Sequence, residues 1–246
     1  MKSQAGSTFI QHVSAEQAEL WRQKAAELIG QARYKQAVQV LNQALSSGIS
    51  LAEQIQFLGY RAYAHTLWRK PEAAIEDATR LLKLIQAEVS DLCFEDIDWA
   101  YEREQDTGYL SFLAAIYNLR GTLHRFQKNL PSAVEDLTLA LFMSEDPYLQ
   151  GLSLFQRGFC LLQLGECQER ALSDLSEAWQ FCPTPLAELL GVPSPDISEL
   201  RFDLHDKGLQ IHWEESASRA LSGSQFELRL KDLQAEFLAF SRIFSA

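Results

Sequence analysis

Apolar and small residues recur along this chain at helical spacing, and the pattern as a whole recurs as well. Residues 60–82, YRAYAHTLWRKPEAAIEDATRLL, and residues 119–141, LRGTLHRFQKNLPSAVEDLTLAL, align without a gap, setting Ala62 over Gly121, Ala74 over Ala133 and Asp77 over Asp136. Two further copies flank them. The first has Ala18, Trp21, Ala25, Leu28, Ala37, Leu41 and Ala44, and the last has Gly158, Ala171, Leu175, Ala178 and Pro183. Between them, Leu58, His65, Ala78 and Leu81 fill the pattern in the second copy, and Tyr117, His124, Leu137 and Ala140 in the third. Self-similarity of this kind is the signature of stacked supersecondary units.

Each copy reads as two helices with a crossing between them. The Gly or Ala of the first helix and the Ala of the second are small where two helices pass closely, and the apolar residues four and seven positions after that Ala share one face. Each copy is therefore a helical hairpin with one dry side. The second-helix residues Ala37, Ala74, Ala133 and Ala171 are 37, 59 and 38 positions apart. The long interval holds an acidic and aromatic insert, AEVSDLCFEDIDWAYEREQDTGYL, at 87–110, which lengthens helices, forms a loop, or does both.

The order of large, small, large, Ala, apolar, Ala and terminal Pro resembles the tetratricopeptide repeat, with ALSDLSEAWQFCP the fullest match to that family's second helix. The fourth copy departs by one extra residue in its LGECQER turn, His65 and His124 replace an aromatic, and copies one and two lack the terminal Pro. The resemblance implies a mainly α chain: a tetratricopeptide-type helical-hairpin solenoid of about four repeats over 18–183, after an N-terminal extension at 1–17. Arg61, Arg120 and Arg157 precede the small residue of three copies, and Asp77, Asp136 and Asp174 follow the second-helix Ala by three. A row of arginines could serve acidic ligands, but a ligand groove has no reason to require the matching Asp, so each Arg is expected to pair with an Asp of its own or the adjacent repeat.

From 184 to 246 the pattern changes. Four prolines between Pro183 and Pro195 are expected to break any helix and mark a linker or corner. Period two then appears in LRFDLHDKGLQIHWEE, residues 200–215. With Lys207-Gly208 as the turn, Leu204 faces Ile211, Phe202 faces Trp213, and Asp203 lies opposite His212. An isolated hairpin is marginal in water, so its apolar face is expected to rest on the end of the solenoid. The final run places Phe226, Leu230, Leu233, Phe237, Phe240 and Phe244 on one seam, expected to be a helix that caps the last repeat or mediates homodimerisation.

Composition narrows the function. The net charge of −11 repels phosphate backbones and anionic membrane surfaces, so nucleic acid is a poor partner. The apolar run LSFLAAIYNL at 110–119 is too short to span a bilayer, and the N-terminus lacks the apolar core of a secretory signal, which points to the cytoplasm. Cys93, Cys160, Cys167 and Cys182 include no Cys-x-x-Cys pair and suit a reducing compartment.

No phosphate-binding loop, dinucleotide fingerprint or nucleophile motif is present, and the acidic insert lacks the ligand spacing of a calcium loop. His205 and His212 have no third ligand beside them, and Cys93 has no placed base. No enzyme activity, cofactor or metal is expected. In the resembled family the first helices line a concave groove, which implies Arg22, Ala26, Tyr63, Thr66, Asn118, Thr122, Arg125, Phe126, Phe155 and Phe159 as groove positions. The family's clamp for chaperone C-terminal carboxylates does not carry over, because Arg22, Ala26, Tyr60, Ala115 and Leu119 hold those places. The expectation is a non-catalytic adaptor, assembly factor or dedicated chaperone binding a peptide or helix of a partner protein; the alternative is a peptide or small-molecule sensor whose solenoid changes shape.

Overall fold

The computed structural model describes residues 13–90, 107–165, 167–190, 200–205, 208–212 and 218–220. Eight helices pair in chain order as antiparallel hairpins: α1 (Ala15–Gly30) with α2 (Tyr34–Leu45), α3 (Leu51–Leu67) with α4 (Pro71–Ser90), α5 (Thr107–Phe126) with α6 (Leu130–Met143), and α7 (Pro147–Leu164) with α8 (Gln168–Phe181). A short helix α9 (Pro183–Leu190) and three strands, β1 (Arg201–His205), β2 (Gly208–His212) and β3 (Ser218–Ala220), follow. The chain divides into two compact units, Met1–Glu88 and Val89–Ala246. In the first, α2 packs on α1 and α3; in the second, α7 packs on α6 and α8. Among the described residues the architecture is the helical-hairpin type that the repeat implies, completed by a small antiparallel sheet.

The same local chemistry closes three of the hairpins. Ala32, Arg69 and Lys128 take the left-handed conformation, at φ 57°, 57° and 59°. The next amide then reaches back five residues, Arg33 N–H to the Leu28 carbonyl (2.8 Å), Lys70 to His65 (2.8 Å) and Asn129 to His124 (2.9 Å), capping the first helix. The second helix starts at once, its repeat Ala donating to the carbonyl of Arg33, Lys70 or Asn129 at 3.1 Å. The fourth hairpin absorbs its extra residue by spending two left-handed positions, Gly165 (φ 71°) and Cys167 (φ 48°). Stacking then resumes, with Ala171 donating to the Cys167 carbonyl at 3.0 Å.

The small residues stand where backbone and side chain leave no room. A Cβ on Gly158 would lie 2.9 Å from the Ala171 carbonyl oxygen and from Leu175 Cγ, and one on Gly121 would lie 2.9 Å from Leu137 Cγ. Beside each crossing, an arginine of the first helix grips an aspartate of the second through two nitrogens. Arg120 Nε and Nη2 bind Asp136 at 2.8 and 2.6 Å, and Arg157 binds Asp174 at 2.7 and 2.8 Å. Arg61 does the same with Asp77 at 2.9 and 2.5 Å. The third nitrogen reaches backwards: Arg61 Nη1 binds Asn42 of α2 at 2.6 Å, and Arg157 Nη1 binds Thr138 of α6 at 3.3 Å. Arg61 and Arg157 therefore each tie their hairpin to the preceding one of the same unit, as well as closing their own.

Three expectations change at the C-terminal end. Pro183 and Pro185 do not break a helix but begin one, α9, because a first-turn proline lacks only an N–H that has no intrahelical partner. The β1–β2 register pairs Phe202 with Ile211 and Leu204 with Leu209, and Asp203 with Gln210. Hence β1 ends at His205 and β2 begins at Gly208, one position earlier than a Lys207-Gly208 turn. Both registers keep the apolar side chains on one face, since side chains alternate with period two. A third strand, β3, adds to β2 with Gln210 opposite Ala220. Trp213 and the C-terminal run at 224–246 lie outside the described residues, as does the middle of the acidic insert; its two ends extend α4 and α5 as helix.

The sheet rests on the last hairpin, as expected. Phe202, Leu209 and Ile211 join Leu186 and Leu190 of α9, Leu175, Ala178 and Trp179 of α8, and Phe155 and Phe159 of α7 in one core cluster.

Replacing Gly158 by Ala should destabilise the second unit by about 1–3 kcal/mol, because a carbonyl oxygen cannot retreat as a flexible side chain can. Gly30→Ala, with nothing within 4 Å of the new Cβ, should be neutral or slightly stabilising. Urea unfolding of the two variants checks the contrast.

Candidate ligand-binding surface

Helix α3 brings Tyr63 and Thr66 inward in the first unit. Both are buried, and the Thr66 hydroxyl donates to the Ala62 carbonyl at 2.8 Å, so it is spent within its own helix. Burial, with a smaller contribution from Tyr34, pushes the Tyr63 phenol far above its ordinary range, so it stays a neutral donor at any physiological pH. Arg22 on α1 is half-buried, paired with Glu19 at 2.7 Å and facing the Tyr60 hydroxyl.

In the second unit, α5 and α7 pack directly. Asn118, Thr122 and Arg125 fall on one face of α5 at i, i+4 and i+7 and are buried, as are Ser153 and Gln156 of α7. Asn118 Nδ2 donates to Ser153 Oγ at 2.7 Å across the two helices. Burial raises the Cys160 thiol to about 11, with the Arg125 charge pulling the other way, so Arg125 acts across to α7 as well. The Thr122 hydroxyl is buried with no hydrogen-bond partner among the described residues. These residues form a buried polar belt between two otherwise apolar helices.

Ala26 on α1 is exposed in the first unit, and among the second-unit positions Phe126 is the accessible one, 39% exposed, with the Arg125 guanidinium 5.7 Å from its ring centre. Phe155 and Phe159 have a different environment. They meet edge to face at 4.6 Å, are 4% and 2% exposed, and belong to the cluster that seats the sheet and α9. Ser153 and Gln156 were not picked out by sequence. Their only signal is polarity within the apolar run LSLFQRGFC, which means little until α5 is known to lie against them.

Among the described residues, no three His, Cys, Asp or Glu side chains converge as metal ligands would. His212 Nε2 lies 3.3 Å from Asp203 Oδ2, a diagonal pair on the sheet. Burial raises the Cys182 thiol to about 12, so it and Cys160 are protonated and inert at neutral pH.

No protein-family model matches the chain, and neither does the sequence of any curated protein. Solved structures that resemble it include MamA MSR-1, at 18% identity and TM-score 0.30, aligned over 67% of this chain and 95% of that one. MamA from residue 41 to its end from Desulfovibrio magneticus RS-1 aligns at 13% identity and TM-score 0.31, over 67% and 94% of the two chains. MamA AMB-1 aligns at 17% identity and TM-score 0.28, over 74% and 100%. Superpositions this loose carry no argument about the site, which stands on its own geometry. No described helix is long and apolar enough to cross a membrane.

Two outcomes check this geometry. Thr122→Val should leave stability unchanged or raise it by up to about 1 kcal/mol in a denaturant titration, because it removes a buried hydroxyl that has no partner. A thiol reagent should label the exposed Cys167 in the native chain and reach Cys160 and Cys182 only on unfolding.

Proposed function

We propose that this chain is a protein-binding module of the tetratricopeptide type, an adaptor, assembly factor or dedicated chaperone, that works without chemistry of its own. The observation that carries the reading is the polar belt of Asn118, Thr122, Arg125, Ser153 and Gln156 beside the exposed ring of Phe126. Burying polar side chains between helices costs stability that an apolar seam would not, and recognition is a reason to keep them there. Arginine and aromatic side chains together are also the usual anchors of an interface.

The bound element in this reading is an extended peptide or helix with an apolar residue against Phe126 and backbone groups toward Arg125. Arg22, Tyr63 and Thr66 are the corresponding positions of the first unit. Phe155 and Phe159 contribute indirectly, by holding the sheet that closes the last hairpin. Charge shapes the choice of partner: residues 89–246 carry 25 acidic and 12 basic residues, whereas 1–88 carry eight and ten. A partner segment with basic flanks suits the second unit. Unpaired buried thiols at Cys160 and Cys182 fit a reducing compartment, and the cytoplasm is the proposed location.

Affinity capture from native lysate tests the reading with the intact chain, a Phe126→Ala/Arg125→Gln variant and a Phe142→Ala control, Phe142 being 87% exposed on α6. A partner retained by the intact chain and the control but lost from the first variant is the expected result, provided circular dichroism shows that variant folded. Equal recovery by all three would overturn the assignment. Phe159→Ala is unsuitable here, since emptying that core position should cost about 3–5 kcal/mol.

A further inference from the structure

We propose that His65 and His124 are an acid-sensitive device, through which mildly acidic surroundings loosen the α3–α4 and α5–α6 hairpins while leaving α7–α8 unaffected. The two histidines occupy the same place in their repeats, four residues after the paired arginine. Each points Nε2 at the aspartate that the arginine already holds, His65 at Asp77 Oδ2 (3.8 Å) and His124 at Asp136 Oδ2 (3.9 Å). Each also has Nδ1 buried with no hydrogen-bond partner among the described residues. The neutral ring tolerates this arrangement. A charged ring carries a proton on both nitrogens, so it would leave one N–H buried and unpaired and would set a second cation beside the arginine.

The surrounding charges favour the neutral form. Burial is the main cause that lowers the affinity of His65 for a proton. Asp77 and Glu76 of α4 oppose it, while Arg61 of its own helix and Lys70 of the turn add to it. Of the other helices packed on α3, α2 turns Asn42 toward Arg61 and α1 turns Arg22 toward Tyr60. Burial likewise lowers His124, against Asp136 of α6 and together with Arg120. Helix α7 turns Arg157 toward Asp174. In the fourth repeat Leu161 stands four residues after Arg157, so that hairpin has the same ion pair and no titrating ring.

The sign follows from linkage. Both histidines have folded values below the ordinary 6.5, so well above that pH the rings are neutral in both states. As pH falls below about 6.5 the unfolded chain binds protons first, and stability is lost down to the folded values. The His65 ring also stacks on Trp68, with ring centres 6.1 Å apart and planes 13° apart.

The test compares thermal unfolding of the full chain at pH 7.5 and 5.5 with that of a His65→Leu/His124→Leu variant, which copies the Leu161 arrangement. The expected result is that the native chain loses at least about 4 °C more between the two pH values than the variant. Equal losses would overturn the proposal. A second readout, independent of any variant's folding, is the imidazole NMR titration of the native chain. Midpoints below 6.5 for both rings support the device, and a midpoint at or above 6.5 for either would contradict it.

Discussion

The fold depends on one contact made three times: an arginine of the first helix holding an aspartate of the second beside a crossing too tight for a larger side chain. The energetics explain why it is decisive. Arg157 and Asp174 are both buried, and removing either would strand a charge, so the hairpin is stable only with the two helices in the register that pairs them. The third arginine nitrogen extends the constraint to the preceding hairpin, through Asn42 in one unit and Thr138 in the other. In two of the three hairpins that contain it, the contact thus also fixes the spacing to the preceding hairpin of the same unit.

That constraint accounts for where variation is accepted. The fourth repeat has an extra turn residue, yet Arg157 and Asp174 still meet at 2.7 Å, because Gly165 and Cys167 take it up in left-handed conformations. It also accounts for the ends. A stack of hairpins leaves its last dry face uncovered. Here α9 and the sheet supply Leu186, Leu190, Phe202, Leu209 and Ile211 against α7 and α8, in the place another repeat would fill. Polar residues are left for the seam between first helices, where Asn118 and Ser153 bond and where recognition is proposed.

Much of this was legible in the sequence, for local reasons. The Arg–Asp pairs could be read because both residues repeat at fixed offsets from the small residues, and offsets within a hairpin convert directly into distances. The β1–β2 pairing was legible as to face but not as to turn, since Asp206-Lys207-Gly208 allows two registers with the same alternation. Helix α9 was hidden by its prolines, whose meaning depends on falling in the first turn. The strand Ser218–Ala220 has no alternation to reveal it. The site was less legible, because the burial of Phe155 and Phe159 depends on a sheet more than forty residues further on. Ser153 and Gln156 likewise acquire meaning only from the α5–α7 contact.

The most direct measurement of the account is a double-mutant cycle on Arg157 and Asp174, with urea unfolding of the intact chain, both single alanine variants and the double variant. Strong coupling, about 2 kcal/mol or more, is the result the account predicts, each single change costing nearly as much as both together. Additive losses would mean that the two charges contribute separately, and that packing at the small residues alone holds the hairpins in place.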